Sequence, residues 1–212
     1  YDNQLIKTGE INDVGYFTSK NVKSSFRRGI EVEGAYIINK NFKVNGNLTI
    51  SENKVDTFTQ YVDNWDTWGQ SQIFHKNTEL AFSPNIIWAA QADYKLNERT
   101  SVIFNSKYVG EQYIDNTSSK ERMIDDYLIS NLQIDYNLSS RLFKNAKISF
   151  LINNLFDIEY VSNAWIYRYI SNSYDPREGD DYTSLASDGI YDMAGYFPQA
   201  KRNYLLGLTL EF

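Results

Sequence analysis

The chain has 212 residues, with 27 acidic and 21 basic side chains, a formal net charge of −6 and no cysteine. The acidic balance argues against a nucleic-acid partner, and the lack of cysteine excludes disulfides and thiol chemistry. A mean hydropathy of −0.50 is typical of an acidic soluble protein. A membrane β-barrel, however, needs apolar residues only at alternate positions, so this average excludes neither class.

The first strong pattern is a pair of alternating runs at 30–38 and 42–50. Apolar or small residues occupy the even positions of both runs, and most odd positions are polar or small. A period of two on both sides of a short turn at 39–41 predicts an antiparallel hairpin. A weaker run near Leu5 predicts one further strand before it.

Two more hairpins and a closing strand follow with the same even-numbered parity. The hairpin segments are 86–96 with 102–108 across a turn at 97–99, and 128–138 with 148–152 across a connection at 139–145. The chain then ends on the alternating run Tyr204–Phe212. Together these runs predict about eight strands.

The connections alternate between short and long. The long ones carry many Asn, Asp, Ser, Gly and aromatic residues, and they lie at 12–23, 59–80, 115–125 and 157–201. Alternate connections of an up-and-down barrel lie at opposite ends, as the periplasmic turns and extracellular loops of outer-membrane barrels do. The sequence therefore predicts an all-β, antiparallel, transmembrane β-barrel wall.

Aromatic residues are abundant, with 17 Tyr, 12 Phe and 4 Trp. Aromatic rings settle at membrane interfaces, and the candidates on the outward parity are Tyr36, Trp88, Tyr94, Tyr108 and Tyr136. Arg28 also falls on this parity, near the loop end of its strand, where an outward arginine is tolerated. The outward polar residues Ser106, Ser130 and Asn154 either weaken the assignment of the middle strands or indicate a bulge that shifts the register.

One motif carries a family resemblance. The run Asn153–Tyr160, which contains Asn154, Leu155, Phe156 and Asp157, resembles the motif near the last strands of TonB-dependent outer-membrane receptors. Tyr108–Asn116 and Gly195–Ala200 are similar to two further stretches of those receptors, especially the Bacteroidetes type. The resemblance covers most of the chain from about Ser24 onward.

The resemblance implies that residues 1–212 are a single partial domain, the last eight or so strands of a 22-stranded barrel without its plug domain. It implies active import of a ligand, such as a siderophore or another nutrient, in the outer membrane of a Gram-negative bacterium. The implied partners are outer-membrane lipid, the rest of the receptor with its plug, TonB-ExbB-ExbD acting through a TonB box in that plug, the barrel assembly machinery and a surface lipoprotein. Phe212 would be the barrel assembly signal.

Ligand recognition is expected in the long loops, where aromatic rings are dense enough to stack on sugars, flat chelates or peptide side chains. The candidate ligand-binding residues are Trp65, Trp68, Trp165, Tyr167, Tyr169, Tyr174 and Tyr191. Packing of the loops against one another is the alternative role of these rings. We expect no enzyme activity, because the only histidine, His75, is predicted to lie in a loop and no nucleophile motif surrounds it. We also expect no cofactor and no metal, because the stretch 175–181 lacks the regularly alternating ligands of a calcium loop.

Two other classes remain open. Eight strands also close into a complete small barrel with a structural or adhesive role, in which the strand near Leu5 must pair with Tyr204–Phe212. Alternating strands also build soluble, lectin-like sandwiches, but these give no reason for connections that are short at one end and long at the other.

Overall fold

The computed structural model describes residues 3–138 and 142–212. In that part of the chain no helix is long and apolar enough to cross a membrane. The described residues form fifteen strands: β1 (Gln4–Ile11), β2 (Phe17–Val22), β3 (Ser25–Asn39), β4 (Phe42–Asn64), β5 (Gly69–Glu79), β6 (Ile86–Lys95), β7 (Thr100–Val109), β8 (Gln112–Tyr113), β9 (Met123–Ile124), β10 (Tyr127–Leu138), β11 (Asn145–Asn153), β12 (Val161–Ile170), β13 (Thr183–Leu185), β14 (Tyr191–Pro198) and β15 (Asn203–Glu211).

Seven of these strands form one antiparallel wall. Their order is β3-β4-β6-β7-β10-β11-β15, so neighbours in the chain are neighbours in the sheet apart from strands inserted in the long connections. We call these residues the wall, and they are 25–51, 86–109, 127–138, 142–153 and 203–212. The curled up-and-down wall confirms the predicted fold class.

The register places the even-numbered residues on one face of the wall. Leu48 pairs with Trp88, which pairs with Tyr108 and stacks on its ring at 6.1 Å between centroids. At the short-turn end, Phe42 pairs with Tyr94 and the two rings meet edge to face at 5.9 Å. An apolar face with aromatic rings near both ends is the pattern of a lipid-facing barrel surface.

The polar exceptions on this face are satisfied without a bulge. Ser106 and Ser130 pair directly, and their hydroxyl oxygens are 2.6 Å apart. The register between β7 and β10 is continuous, so the predicted bulge is wrong there. Arg28 pairs with Glu52 at the loop end of β3, with 2.6 Å between the guanidinium nitrogen and the carboxylate oxygen.

The short turns are held by asparagine side chains. Asn39 Oδ1 accepts a hydrogen bond from the backbone N–H of Asn41 at 2.8 Å, and Asn97 Oδ1 accepts one from Thr100 at 2.9 Å. Asparagine favours such turns because its side chain bonds to the backbone two or three residues on. The predicted 139–145 connection lies partly outside the described residues.

The wall is an open sheet in the described residues. β15 pairs with β11 along its length, and β1 pairs with β2 in a separate two-stranded sheet. The strand near Leu5 therefore does not meet Tyr204–Phe212, which contradicts the complete small barrel. β1 lies elsewhere because Ile6 belongs to a buried cluster with residues from three other segments, namely Val22, Val55 and Phe58 of β4, and Leu80.

The long connections fold into a structured layer at one end of the wall. We call it the cap, and its residues are 3–24, 52–85, 110–126 and 154–202. The outer half of β4 continues from the wall into the cap, where it pairs with β5 and, in parallel, with β12 at Tyr169 and Ile170. β14 and β13 complete this sheet. The predicted loop at 59–80 is thus largely strand, and the one at 157–201 contains the three strands β12, β13 and β14.

Candidate functional site

Four of the seven predicted ligand-binding aromatics meet in one stack in the cap. Trp65 lies over Tyr169 with 4.1 Å between ring centroids, and Tyr169 also stacks on Tyr167 at 5.3 Å and Tyr191 at 5.6 Å. Phe17 of β2 extends the stack to Tyr167 at 6.1 Å. Tyr169 is fully buried. These five residues, the aromatic stack, therefore join three cap segments by packing.

Polar bonds fix the edge of the stack. Trp65 Nε1 donates a hydrogen bond to the Tyr167 hydroxyl at 3.1 Å, and this hydroxyl donates to an Asp63 carboxylate oxygen at 2.7 Å. Burial and the bond to Asp63 raise the pKa of Tyr167 to about 12. The phenol therefore stays protonated at any physiological pH and keeps Trp65 in place.

The other three predicted aromatics lie outside the stack. Trp68 stands at the tip of the β4–β5 hairpin and is 93 % exposed, and Tyr174 is exposed in the connection after β12. Trp165 is partly exposed and crosses Gly195, where a Cβ atom would collide with its indole ring. Gly195 is therefore the residue that lets the indole lie flat against β14. These three rings are accessible on the surface of the cap.

Asp66 ties the hairpin tip to the segment after β12. Its carboxylate accepts hydrogen bonds from the backbone and side chain of both Asn172 and Ser173, at 2.7–3.1 Å. The Ser173 hydroxyl and the Asn172 backbone N–H lower the pKa of Asp66 to about 2. The carboxylate is therefore ionised throughout the physiological range, and the two segments are held together.

A buried ionic network joins the other side of the cap. Asp192 accepts from Arg168 Nε at 2.6 Å and from Arg122 Nη1 at 3.0 Å, and all three side chains are about 95 % buried. Arg168 also meets Asp188 at 2.6 Å, and Arg122 meets Asp115 at 2.8 Å. Two guanidinium groups share one buried carboxylate here, so each buried charge of this network has an ionic partner.

Sequence reasoning missed this network. Arg122 and Asp192 are 70 residues apart, and Arg168 and Gln60 are 108 apart. Contacts across such long separations leave no pattern in the local sequence. A single charged residue in a polar segment usually points to solvent, so nothing predicts that these arginines are buried. Only the folded cap brings these residues together.

His75 lies in strand β5 rather than in a loop, which corrects the prediction. Its ring stacks on Phe58 at 5.0 Å, and its Nε2 is 2.9 Å from Gln60 Oε1. This oxygen also accepts from Arg168 Nη1 at 3.4 Å, so Nε2 is the nitrogen that carries the proton. Burial lowers the pKa of His75, and although Asp115 opposes this shift, Arg168 adds to it. The imidazole is therefore neutral at pH 7.

The lowered pKa of His75 predicts a cap that weakens in acid. The unfolded chain takes up the proton near the ordinary value of 6.5 and the folded cap only at a lower pH, so stability falls as the pH drops below about 6.5. We expect faster amide hydrogen exchange in β5 and β12 at pH 5.5 than at pH 7.5, after correction for intrinsic rates. A His75→Gln variant should lose this extra acid sensitivity. If the variant kept the pH dependence of the wild-type protein, His75 would not be the source of the acid sensitivity.

The family motif builds the turn where β11 enters the cap. Asn154 is buried with φ at 51°, a conformation that asparagine tolerates. Its Nδ2 donates to the carbonyl oxygens of Ile158 and Ala200 at 2.8 and 3.3 Å, and its Oδ1 accepts from the Ile158 N–H. Asp157 Oδ1 accepts from Arg202 N at 2.8 Å. The other two motif residues are a partly buried Leu155 and an exposed Phe156.

Phe212 lies at the opposite end of the wall. Its side chain is 80 % exposed, and its ring meets Phe143 edge to face at 5.1 Å. Its role as an assembly signal stays a prediction.

The charge of the chain is unevenly distributed. The cap carries 20 acidic and 11 basic residues, a net charge of −9, whereas the remaining residues carry 7 acidic and 10 basic ones. Among the residues that the structure describes, no three His, Asp or Glu side chains are grouped closely enough to hold a metal ion. The cap is therefore an acidic, aromatic surface.

The fold has clear counterparts among solved structures, although no family model and no curated protein matches the sequence. The siderophore receptor PiuA from Acinetobacter baumannii matches 97 % of the chain with a TM-score of 0.64 and 16 % identity. The copper transporter OprC matches 100 % with a TM-score of 0.60 and 14 % identity, and the ferric-catecholate import receptor Fiu from E. coli K12 matches 100 % with 0.56 and 20 %.

These matches concern a part of each receptor. The chain spans about a quarter of the length of the solved chains, between 24 % and 27 %. The counterparts are transport receptors by name. The chain therefore has the fold of a segment of a TonB-dependent receptor barrel.

Proposed function

We propose that this chain is part of an outer-membrane receptor that captures a ligand at its extracellular cap and imports it in a TonB-dependent manner. The observation that carries the proposal is the combination of an open, lipid-type wall with a folded cap on its long-loop end only. An open sheet needs further strands to remove its two free edges, and the solved receptors of this fold extend well beyond the matched quarter of their length.

The finer parts of the proposal follow from the family resemblance. The missing strands and the plug come from the rest of the receptor, and TonB-ExbB-ExbD acts on that plug. The protein resides in the outer membrane of a Gram-negative bacterium of the Bacteroidetes type, in contact with lipid. A barrel assembly machinery that recognises Phe212 and a surface lipoprotein over the cap complete the set of partners.

We propose that the seven aromatics form the ligand site in two roles, some by contacting the ligand and others by positioning those rings. Trp68, Trp165 and Tyr174 are exposed and reach a ligand directly, and the partly exposed Trp65 does so at its edge. Tyr167, Tyr169 and Tyr191 act by holding these rings in place, because they are tied into the aromatic stack.

Uptake measurements test the proposal. We expect the full-length protein, in cells, to import at least one labelled compound from a panel of ferric siderophores, copper, cobalamin, glycans and peptides, and to lose this uptake when tonB is deleted. Uptake that does not depend on TonB would contradict the proposed mechanism. A Trp165→Ala variant should reduce ligand binding and still assemble, whereas Tyr136→Ala, on the lipid-facing side, should leave binding unchanged. Wild-type binding by Trp165→Ala would remove this residue from the site.

A further inference from the structure

A separate cleft of about 570 Å³ opens in the cap, away from the aromatic stack. Its lining comes from residues 121–122, from Ile166 of β12, and from residues 181–186, 192 and 194–196. Ile166 lies on the face of β12 that packs on Ile114 and Ile124, whereas the aromatic stack lies on the opposite face. The volume lies within the range of small-molecule sites in proteins, which is roughly 300–1,000 Å³.

The floor of the cleft is fixed before any ligand arrives. Arg122 and Asp192 form this floor and are buried. Arg122 donates to Asp115 at 2.8 Å, to Asp192 at 3.0 Å and to Thr117 at 2.7 Å. Its positive charge is therefore already matched by two carboxylates, and the floor offers no free cation to an anionic ligand.

The rim carries aromatic faces and an unpaired carboxylate. Tyr182 is 64 % exposed and Tyr196 is 44 % exposed. Asp181 is also part of the lining, and its carboxylate has no hydrogen bond or ion pair within residues 3–138 and 142–212. Ile166 and Leu185 add an apolar wall. Aromatic faces beside a carboxylate bind organic cations, because the ring face and the carboxylate both attract positive charge.

The net charge of the cap also favours a cationic ligand. The net charge of −9 attracts cations toward the cap and repels anions. Burial raises the pKa of the Tyr196 phenol, and the nearby carboxylates of Asp125 and Asp192 raise it further. The rim of the cleft is therefore at negative potential.

We propose that this cleft binds an organic cation, a small ligand that carries an ammonium group on an apolar or aromatic body. Asp181 and the faces of Tyr182 and Tyr196 hold the ammonium group, and Ile166 and Leu185 contact the body. The proposal rests on the receptor function proposed above and names the substrate class that this part of the cap selects.

Two indole compounds of opposite charge test the cleft. Tryptamine is a cation and indole-3-propionate is an anion, and both carry the same indole ring. Titration of the purified full-length protein with each compound, by calorimetry or ligand-observed NMR, therefore measures the effect of ligand charge on affinity. We expect tryptamine to bind about tenfold more tightly. Asp181→Asn should weaken tryptamine binding about threefold. Glu178→Gln removes the same charge from the same segment outside the cleft lining, and it should leave binding unchanged.

Equal affinity for the two compounds, or equal effects of Asp181→Asn and Glu178→Gln, would overturn the proposal. The second outcome would assign the preference to the diffuse charge of the cap and not to the cleft. The titration needs no energised membrane, so its failure is distinct from a failure of TonB-dependent uptake. Cation binding without TonB-dependent uptake would support the cleft and contradict the transport proposal.

Discussion

Replacing Asp192 with alanine is expected to lower the free energy of opening of the cap by about 3–5 kcal/mol. The reason is that Arg122 and Arg168 would stay buried without the carboxylate that they share. Arg122 would keep only Asp115 as an ionic partner and Arg168 only Asp188. Removing one member of a buried ionic network costs far more than the intact pair contributes, because it leaves buried charge uncompensated. The protection of backbone amides in β12 and β14 against hydrogen exchange measures this opening directly.

Asp188→Ala is the matched control. Asp188 pairs with one arginine, Arg168, at 2.6 Å and accepts a hydrogen bond from the Ile190 backbone N–H at 3.2 Å. Its side chain is 45 % exposed, so its loss should cost about 0–1 kcal/mol. Equal losses of protection in the two variants would show that the shared carboxylate has no special role in the cap.

Replacing Ala90 with arginine is expected to destabilise the assembled barrel by about 2–4 kcal/mol. Ala90 lies in the middle of β6, between Gly46 and Ser106 on the even-numbered face of the wall. A guanidinium group there must sit at the middle of the hydrocarbon layer. Urea unfolding of the full-length protein from phospholipid bilayers measures the change.

Two control variants distinguish whether lipid or a protein core surrounds the even-numbered face of the wall. Gln91→Arg lies one residue on and points to the other face, so it should be nearly neutral. Ile86→Arg lies on the same face at the loop end, and it should cost only about 0–1 kcal/mol because the penalty falls toward the interface. A soluble sandwich would bury this face against protein, and there all arginines on it would be costly whatever their depth. Equal costs for Ala90→Arg and Ile86→Arg would therefore contradict a membrane position.

Alternation of side chains is a local property, and it explains why the wall was predictable. The even-numbered run from Phe42 to Ile50 keeps its parity in the structure, and Leu48, Trp88 and Tyr108 pair across three strands as the pattern requires. The short turns were equally predictable, because Asn39 and Asn97 bond to backbone atoms two or three residues away. The bulge expected at Ser106 does not exist, since a second serine opposite it satisfies the hydroxyl.

The position of β1 shows where local pattern fails. The run near Leu5 alternates like a wall strand, but alternation does not say which sheet a strand joins. Ile6 packs instead on Val55 and Phe58 of the outer half of β4. That choice depends on which apolar surface is free to be covered, and this is known only after the chain has folded.

By itself the sequence determined the β class of this protein, the two faces of its wall, its short turns and the high aromatic content of its long connections. Only the tertiary structure decided that these connections form a cap, that Trp65 and Tyr167 hold each other across 102 residues, and that two arginines share one buried carboxylate. The physical reason is the separation along the sequence over which each interaction acts. Backbone geometry repeats every two residues along a strand, whereas burial and charge pairing in the cap join segments that meet only in the folded chain.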